Sequence, residues 1–395
     1  MKTKNIIYLD NAATTQVRRE TIQAMEPYFE QYYGNPSSSY EFGMMAGQVM
    51  DSGRKVLADI IHCNPEEIYY TSGGTESDNW ALIGTAFANY GRGNHIITSK
   101  IEHPAVKNTC EYLKQFGFEI TYVDVDRSGM IRVDQLEKAI RRETILISVM
   151  TANNEIGSIQ PIGEIGKIAE RYNILFHTDA VQAFCHIPID VGKSGIHMLS
   201  ASSHKFGGPK GAGFLYIKKG TVILPFMNGG HQENDMRAGT GNVPGVVGMT
   251  RAAEYASENL DNNMRYETML RNYMIRRIRK EIPFCRLNGH ESKRLPGNIN
   301  ISFDYVDGGT LLGLLDLRGI CVSTGSACSA KSSSPSEVLK AIGLSDDMAR
   351  GSIRITLSSL NTREEIDYVI EALKADIKEL RQKSSMFEEK MGRRR

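Results

Sequence analysis

Short apolar runs alternate with helical periods from about residue 44 to residue 217, and this alternation most constrains the fold. Helices are predicted near 44–62, 75–90, 104–116 and 161–172, with strands between them. Strands that alternate with helices pair in parallel, because each helix carries the chain back to the starting edge of the sheet. The sequence therefore predicts an α/β fold with a large, doubly wound, mostly parallel sheet.

The length of the chain predicts a second, smaller domain. Its 395 residues exceed the roughly 250 to 300 residues that a single core usually serves. From about residue 256 the pattern changes to a long polar helix, followed by strand-like runs interrupted by helices. We expect a large α/β domain over residues 16–255 and a small α+β domain formed by residues 1–15 and 256–383. Residues 384–395 are polar and are expected to form a flexible tail.

Charge and composition exclude several classes of partner. Lys plus Arg number 47 against 46 for Asp plus Glu, so no charge excess favours nucleic acid or a membrane surface. No apolar run approaches the ~20 residues of a membrane span, and the first one is too short for a signal peptide. The six cysteines follow no pairing pattern. Reduced thiols and a cytoplasmic location are therefore expected.

Lys205 stands among small hydroxyl side chains, a histidine and a glycine-rich turn in the segment 202–211. An amine attacks a carbonyl only when it is unprotonated, so a catalytic lysine needs partial burial and nearby positive charge. His204 and Lys210 are expected to supply that charge. The pattern indicates a covalent cofactor anchor, although Lys205 taken alone also fits a solvated lysine on a surface turn.

Asp179 ends a short apolar run, residues 173–178, that is typical of a buried strand. Ligands of open α/β sheets collect at the carboxyl ends of the strands. A buried carboxylate opposite a lysine-bound cofactor is what pyridoxal phosphate requires, because the carboxylate keeps the pyridine nitrogen protonated. Taken alone, Asp179 also fits a helix cap.

A phosphate site is predicted in the segment 68–77, where a strand is followed by two glycines and a helix start. Free backbone N–H groups and the helix dipole favour an anion at such a position. Gly74 and Thr75 belong to this turn, and Ser202 and His204 are placed to reach the same phosphate from the lysine segment.

Other ligand motifs fail on their spacing. Gly192–Ser194 is similar to the end of a P-loop, but Ile187 occupies the position of the first glycine. The glycines of the segment 239–245 miss the dinucleotide spacing by one residue, which disfavours a dehydrogenase. His177 and Asp179 lie on one strand face, but no third ligand stands nearby in the sequence. No metal is therefore predicted.

Cys328 lies at the centre of a segment, 321–335, that consists mostly of small, glycine or turn-prone residues. A cysteine in such a segment is unusual, because free cysteines are normally buried. The other five lie in or beside helical or strand-like patterns. Cys328 is therefore expected to be exposed, as a nucleophile on a moving arm.

Seven stretches carry a resemblance that spans the chain from about Tyr8 to the helix ending near Leu380. They are Tyr8–Thr15 (YLDNAATT), Gly34–Ser38 (GNPSS), Thr71–Asn79 (TSGGTESDN), Asn153–Gly157 (NNEIG), Asp179–Gln182 (DAVQ), Ser202–Lys205 (SSHK) and Ser323–Cys328 (STGSAC). In this order they closely resemble the cysteine desulfurases of the NifS and IscS type. Those enzymes belong to the class V aminotransferase group of fold type I pyridoxal phosphate enzymes.

The resemblance implies roles around the cofactor. Lys205 would hold pyridoxal phosphate covalently, Asp179 would pair with its pyridine nitrogen, and Gln182 would bond its phenolic oxygen. His103 would stack on the ring and handle protons, and Asn154 would also lie against the cofactor.

The resemblance also implies a phosphate site and a substrate site. Thr75, Ser202 and His204 would hold the phosphate, joined by Thr240 from the partner subunit of a homodimer. Arg354, with Asn154 and Asn35, would bind the substrate carboxylate, a role that suits the bidentate geometry of a guanidinium.

The implied activity is conversion of L-cysteine to L-alanine with transfer of the sulfur to Cys328 as a persulfide. An acceptor protein such as an iron–sulfur scaffold would then take the sulfur. The length of the Cys328 arm resembles that of the first of the two desulfurase groups. A selenocysteine lyase or another class V enzyme, such as a transaminase, is the alternative. Cys328 argues against a transaminase and less strongly against a lyase. A non-catalytic sulfur-transfer protein is disfavoured, because Lys205, Asp179 and Cys328 are all present.

Overall fold

A computed structural model describes residues 6–325, 335–384 and 387–388 of the chain. The strands are β1 (Ile7–Tyr8), β2 (Ile68–Thr71), β3 (His95–Ser99), β4 (Glu119–Val123), β5 (Thr144–Ser148), β6 (Leu175–Asp179), β7 (Met198–Ser202), β8 (Gly213–Ile217), β9 (Cys285–Asn288), β10 (Asn298–Phe303), β11 (Ile320–Cys321) and β12 (Ser352–Thr356).

The helices alternate with these strands. They are α1 (Arg19–Met25), α2 (Pro27–Glu30), α3 (Glu41–Ile61), α4 (Gly74–Ala88), α5 (Pro104–Lys114), α6 (Val133–Lys138), α7 (Ile162–Arg171), α8 (Val243–Glu258), α9 (Leu260–Glu281), α10 (Gly308–Leu317), α11 (Glu337–Ala341), α12 (Asp346–Arg350) and α13 (Arg363–Gln382). The helices that the sequence predicts near 44, 75, 104 and 161 are found within a few residues of the expected positions.

Seven strands form the main sheet, in the order β2-β8-β7-β6-β5-β3-β4. The five neighbouring strands β7, β6, β5, β3 and β4 pair in parallel. Strand β8 runs antiparallel to both of its neighbours, β2 and β7. Successive residues of β3 point to opposite faces: Ile96 joins a core with Trp80 of α4, and Ile97 joins a core with Leu57 of α3. The predicted doubly wound, mostly parallel sheet is confirmed, because helices cover both of its faces.

A smaller antiparallel sheet has the strand order β12-β10-β9, and β1 pairs with β11. The side chains of Ile299, Ile301 and Ile353 pack with Leu270 of α9 and Leu373 of α13 in a separate core. The first strand therefore lies with the C-terminal part of the chain. On this basis we propose a large domain over residues 16–255 and a small domain formed by residues 1–15 and 256–383. The boundary between residues 255 and 256 falls in the last turn of α8.

The end of the chain is only partly described. Phe387 packs against Tyr305 with the ring centroids 5.6 Å apart, and against Phe284 at 6.2 Å. The flexible tail expected over residues 384–395 otherwise lies mostly outside the described residues and stays a prediction. No helix in the described ranges is long and apolar enough to cross a membrane.

Candidate active site

Two neighbouring strand ends bring Asp179 and Lys205 together. Asp179 is the last residue of β6 and pairs in register with Ser200 of β7. After β7 ends at Ser202, a single 3-10 turn, Ser203–Lys205, carries the lysine. Because the two strands are parallel, both residues lie at the carboxyl edge of the sheet, where the sequence predicts a ligand site.

The Lys205 amine lies against the N-terminal segment. Its Nζ donates to the carbonyl oxygens of Ala12, at 2.7 Å, and Ala13, at 2.9 Å. Gln182 donates to the same Ala12 oxygen at 2.9 Å, so the two side chains expected at the cofactor share one acceptor. Reasoning from single residues missed Ala12 and Ala13, and only the motif resemblance at residues 8–15 pointed to this segment.

His204 does not carry the positive charge that the sequence led us to expect beside Lys205. Burial, together with the charges of Lys205 and Lys210, lowers the pKa of His204 to about 4. Its Nδ1 lies 3.1 Å from Thr14 Oγ1. That part of the expectation is wrong, because the imidazole is neutral at physiological pH, and only the ammonium group of Lys210 remains as a source of charge.

Asp179 is 5 % exposed, and its Oδ1 accepts a hydrogen bond from the Val181 N–H at 2.9 Å. Burial raises the pKa of Asp179, although the charges of His103 and Lys205 oppose this effect. A carboxylate kept from water in this way is stabilised by an adjacent N–H donor or cation. The protonated nitrogen of a pyridine ring is such a partner.

His103 caps helix α5, where its Nδ1 accepts a hydrogen bond from the Ala105 N–H at 3.1 Å. Burial lowers the pKa of His103, opposed by the charge of Asp179. In the neutral ring the proton therefore lies on Nε2. One ligand atom each of Asp78, His103 and Asp179 lie within 4.8 Å of one another. With one ring nitrogen bonded to Ala105 and the other protonated, His103 offers no lone pair to a metal.

Helix α4 starts where the sequence predicts the phosphate site. The helix begins at Gly74, Gly73 before it has φ 149°, and no side chain within the described ranges caps the helix. A Cβ at Gly73 would stand 3.3 Å from Ser202 Oγ, and one at Gly74 would stand 2.4 Å from Val181. Glycine at positions 73 and 74 therefore leaves open the space in front of the first turn of α4, beside the buried hydroxyl of Ser202. Thr75 is exposed at the same turn.

Arg237 was not predicted from the sequence, but it ties its segment to the first turn of α4. Its guanidinium donates to the Glu76 carboxylate at 2.8 and 3.1 Å. Burial opposes ionisation of Glu76, yet hydrogen bonds from Arg237 and Ser72 hold the pKa of Glu76 below its ordinary value. Thr240, three residues further on, is exposed and forms no hydrogen bond with another described residue.

Arg354 and Asn154 lie together, as expected for a substrate site. Arg354 is 1 % exposed, and it donates to Asp10 Oδ1 at 2.7 Å and to the Asn154 carbonyl at 3.1 Å. Its Nε has no hydrogen-bond partner among the residues described. Asn35 is exposed, and its side chain accepts a hydrogen bond from the Ser37 N–H. The Arg354 guanidinium donates to Asp10 and Asn154 and not to Asn35.

Cys328 lies outside the described residues, but the chain on both sides of its segment is attached beside the site. Ser323 exchanges two backbone hydrogen bonds with Arg354, at 3.0 and 2.6 Å. On the other side, Ser336 donates to the buried Glu155 carboxylate at 2.5 Å. The segment between them therefore begins and ends next to the residues expected to bind the substrate.

A family model described as aminotransferase class-V matches residues 7–369 of the chain. The chain belongs to the class V aminotransferase family. The matched range covers all three sheets of the described residues and includes Lys205, Asp179 and Arg354.

Several proteins named cysteine desulfurase are similar to this chain over nearly its whole length. Cysteine desulfurase IscS of Methanosarcina thermophila is 51 % identical over 380 residues, which are 96 % of this chain and 94 % of that protein. Cysteine desulfurase IscS of Dictyoglomus turgidum is 51 % identical over 378 residues, 96 % of each chain. A solved structure called NifS-like protein superposes with a TM-score of 0.89 at 38 % identity, covering 94 % of this chain and 98 % of its own.

A further solved structure, described as SspA in complex with cysteine, has a TM-score of 0.81 at 36 % identity, covering 90 % of this chain and 99 % of its own. The predicted family and fold type I architecture are thereby confirmed. The cofactor of this class V family is pyridoxal phosphate. The residues of this chain fit it, because they provide a lysine, a buried carboxylate and a glycine-lined helix N-terminus at one sheet edge.

Proposed function

We propose that this protein is a cysteine desulfurase, which converts L-cysteine to L-alanine and transfers the sulfur to Cys328. The proposal rests on one observation: relatives named cysteine desulfurase are 51 % identical over 96 % of the chain. The geometry at the sheet edge supports it, because Lys205 and Asp179 lie where a lysine-bound pyridoxal phosphate needs an amine and a carboxylate.

The chemistry that pyridoxal phosphate supplies when bound is electron withdrawal from the Cα atom of the substrate. Lys205 would hold the cofactor, and Asp179 would keep its pyridine nitrogen protonated. Gly74, Thr75 and Ser202 would receive its phosphate at the start of α4. His204 and Gln182, which bond to Thr14 and Ala12, would secure the N-terminal segment around the cofactor.

Lys205 acts as the base and acid at the substrate Cα. Its Nζ reaches the Ala12 and Ala13 carbonyls at 2.7 and 2.9 Å, and these acceptors orient the amine. An unprotonated Nζ takes the Cα proton and later returns it. His103 handles protons on the other side of the site, because its neutral ring carries a proton on Nε2.

Arg354 binds the substrate carboxylate together with Asn154. Asn35 joins them after its side chain moves away from Ser37. The buried guanidinium exchanges part of its ion pair with Asp10 for the incoming carboxylate. Its Nε is already without a protein acceptor among the described residues, and so remains available for a second hydrogen bond.

Cys328 takes up the sulfur. Its thiolate forms an S–S bond with the substrate sulfur while the substrate Cβ–S bond breaks, and the carbon skeleton gains protons to become alanine. The balance is one enzyme thiol plus cysteine giving one enzyme persulfide plus alanine. The sulfur is oxidised and Cβ is reduced, so the step needs no external oxidant.

A second copy of this chain completes the phosphate site through Thr240. Thr240 is exposed, yet Arg237 ties its segment to the start of α4 through Glu76. Large apolar side chains are exposed before α3 and before the Arg237 segment. They are Phe29, Tyr33, Tyr40, Val222 and Leu224. A homodimer interface over these residues would bury them.

We further propose that the persulfide passes to an acceptor protein of the iron–sulfur scaffold type in the cytoplasm. The five cysteines among the described residues are free thiols, which suits a reducing compartment.

The decisive experiment measures alanine and enzyme-bound sulfur after the purified holoenzyme meets L-cysteine. We expect alanine release together with one added sulfur on the peptide that contains Cys328. Selenocysteine serves as the comparison substrate. A protein that releases alanine from selenocysteine but not from cysteine would be a lyase, and the proposal would be abandoned.

A further inference from the structure

Asp78 is a buried carboxyl that the proposed mechanism does not use. It lies one turn into α4, is 1 % exposed, and faces the sheet beneath the cofactor site. One oxygen of Asp78 and one of Asp179 lie within 4.8 Å of each other. Two buried carboxyls this close do not both ionise readily, since each charge disfavours the other.

A row of hydrogen bonds runs across three strands beside Asp78. His177 Nδ1 lies 2.9 Å from Ser148 Oγ, and His177 Nε2 lies 3.0 Å from Ser200 Oγ. Burial lowers the pKa of His177 to about 3, so the ring is neutral. His177 Nε2 is 3.6 Å from Asp78 Oδ1, which exceeds hydrogen-bond distance. The imidazole therefore offers Asp78 neither a cation nor a hydrogen bond.

Asp78 Oδ1 is buried and has no hydrogen-bond partner among the residues described. A charged oxygen in that position would lose its hydration without any replacement, which is costly. The Asp78 carboxyl has a side-chain hydrogen bond from Ser200, and Asp179 has one from the Val181 N–H, so each carboxyl has one donor while Asp78 Oδ1 has none of its own within the described part of the chain. The unpartnered Oδ1 thus favours the proton on Asp78 and the negative charge of the pair on Asp179.

Titratable groups face Asp78 from each element packed around it. They are His177 and Asp179 of β6, and Glu102 and His103 before α5, while Lys205 after β7 acts on His103 and Asp179. Burial and then the charge of Asp179 raise the pKa of Asp78 well above its ordinary value, although a side-chain hydrogen bond from Ser200 opposes this effect. Burial also raises the pKa of Glu102 to about 8. These directions agree with the geometry.

We propose that Asp78 is a positioning residue of the cofactor site, a second carboxyl that keeps its proton and stabilises the charge of Asp179. A neutral acid is a dipole that can turn its hydrogen toward an adjacent carboxylate, in a place from which water is excluded. Asp179 then stays ionised and holds the proton on the pyridine nitrogen. The inference rests on the proposed function, since it concerns the same cofactor site.

The test compares Asp78→Asn, which keeps a neutral donor, with Asp78→Leu, which keeps the size but loses the polarity. Each variant is loaded with cofactor labelled with nitrogen-15 in the pyridine ring, and the nitrogen chemical shift is followed against pH. We expect the deprotonation midpoint of Asp78→Asn within about 0.3 pH unit of wild type. The midpoint of Asp78→Leu should fall by about one unit or more. The proposal would be overturned if Asp78→Leu had the same deprotonation midpoint as wild type. It would also be overturned if the midpoint fell equally in Asp78→Asn and Asp78→Leu.

The apoenzyme provides a readout that needs no cofactor. A carboxyl whose pKa is raised by folding stabilises the protein below its unfolded pKa, and this stabilisation is lost as the pH rises. Asp78→Asn should therefore flatten the fall of the unfolding temperature between pH 5 and pH 8, whereas the exposed control Asp59→Asn should not. An unchanged slope for Asp78→Asn would show that Asp78 is not the protonated partner. Failure of wild type to bind cofactor would count against the proposed function, and the apoenzyme slopes would still decide the inference.

Discussion

The Arg354 guanidinium lies 2.7 Å from the Asp10 carboxylate, although the two residues are 344 positions apart in the chain. Arg354 comes from β12 and Asp10 from the N-terminal segment that also covers Lys205. The ion pair thus joins the expected substrate site to the expected cofactor site, and it gives the guanidinium a partner while no substrate is bound.

Substitution of Arg354 by lysine should raise KM for cysteine by about tenfold or more, because an ammonium cannot form the bidentate pair with a carboxylate. Asp10→Asn is the matched control and should lower KM, since it removes the carboxylate that competes for Arg354. Steady-state alanine release measures both. An unchanged KM for Arg354→Lys would exclude the substrate-binding role.

Substitution of Lys205 by alanine should abolish covalent cofactor attachment and turnover. Among the described lysines, Lys205 is the one placed at the carboxyl edge beside Asp179, with its amine on Ala12 and Ala13. Borohydride reduction followed by peptide mapping locates the attachment. Lys210→Ala, an exposed neighbour, should retain it. A cofactor-modified peptide that lacks Lys205 would refute the assignment.

Co-expression of a Lys205→Ala chain with a Thr240→Val chain should restore activity in mixed dimers. If Thr240 serves the partner's site, one site of each mixed dimer carries both lesions and the other carries neither. Activity and cofactor affinity of the isolated mixed dimer are compared with those of the two parent dimers. No recovery above the parents would mean that Thr240 is not shared.

Substitution of Cys328 by serine should leave cofactor binding intact and remove sulfur transfer from cysteine, because a hydroxyl does not accept sulfane sulfur. Cys321→Ser is the matched control, since burial raises the pKa of Cys321 and disfavours its thiolate. Mass spectrometry after brief incubation with cysteine locates the added sulfur. Persulfide on Cys321, or alanine formation at the wild-type rate by Cys328→Ser, would contradict the mechanism.

Glu267→Gln should stabilise the protein more at pH 8 than at pH 5. Burial raises the pKa of Glu267 to about 8, opposed by a hydrogen bond from Ser359 and the charge of Arg18. The unfolded pKa is about 4.3, so the folded state holds a proton that the unfolded chain loses, and stability falls as the pH rises through this window. The unfolding temperature relative to wild type should gain a few degrees between the two pH values, with exposed Glu258→Gln unchanged. A gain independent of pH would contradict this assignment.

The hydrophobic pattern of the sequence was sufficient to predict the strands of the main sheet and the longer helices that cover it. The strands ending at Asp179 and Ser202 are apolar runs because both of their faces are buried, and helix α7, which precedes the first of them, shows one apolar stripe. The short helices α1, α2 and α6 were not predicted, because one or two turns carry too little pattern to stand out from a loop.

Some residues of the candidate site could be predicted from the sequence, and others were recognised only in the structure. Glycines before a helix, and a carboxylate at a strand end, carry signals that are local in the sequence, so Gly74 and Asp179 could be proposed directly. Asp78 and Arg237 carry none, since an acid in the second turn of a helix and an arginine in a loop are common. Only the packing of α4 on β6, and the ion pair with Glu76, give them a role.

The sequence by itself determined the family, the order of the elements and the residue types that bind a phosphate, an amine and a carboxylate, because these depend on local pattern. Tertiary structure alone decided which of those residues meet. It placed the carbonyls of Ala12 and Ala13 on Lys205, made His204 neutral by burial, and set Asp10 against Arg354. Such outcomes depend on distance and solvent exclusion between segments far apart in the chain, and no local pattern encodes them.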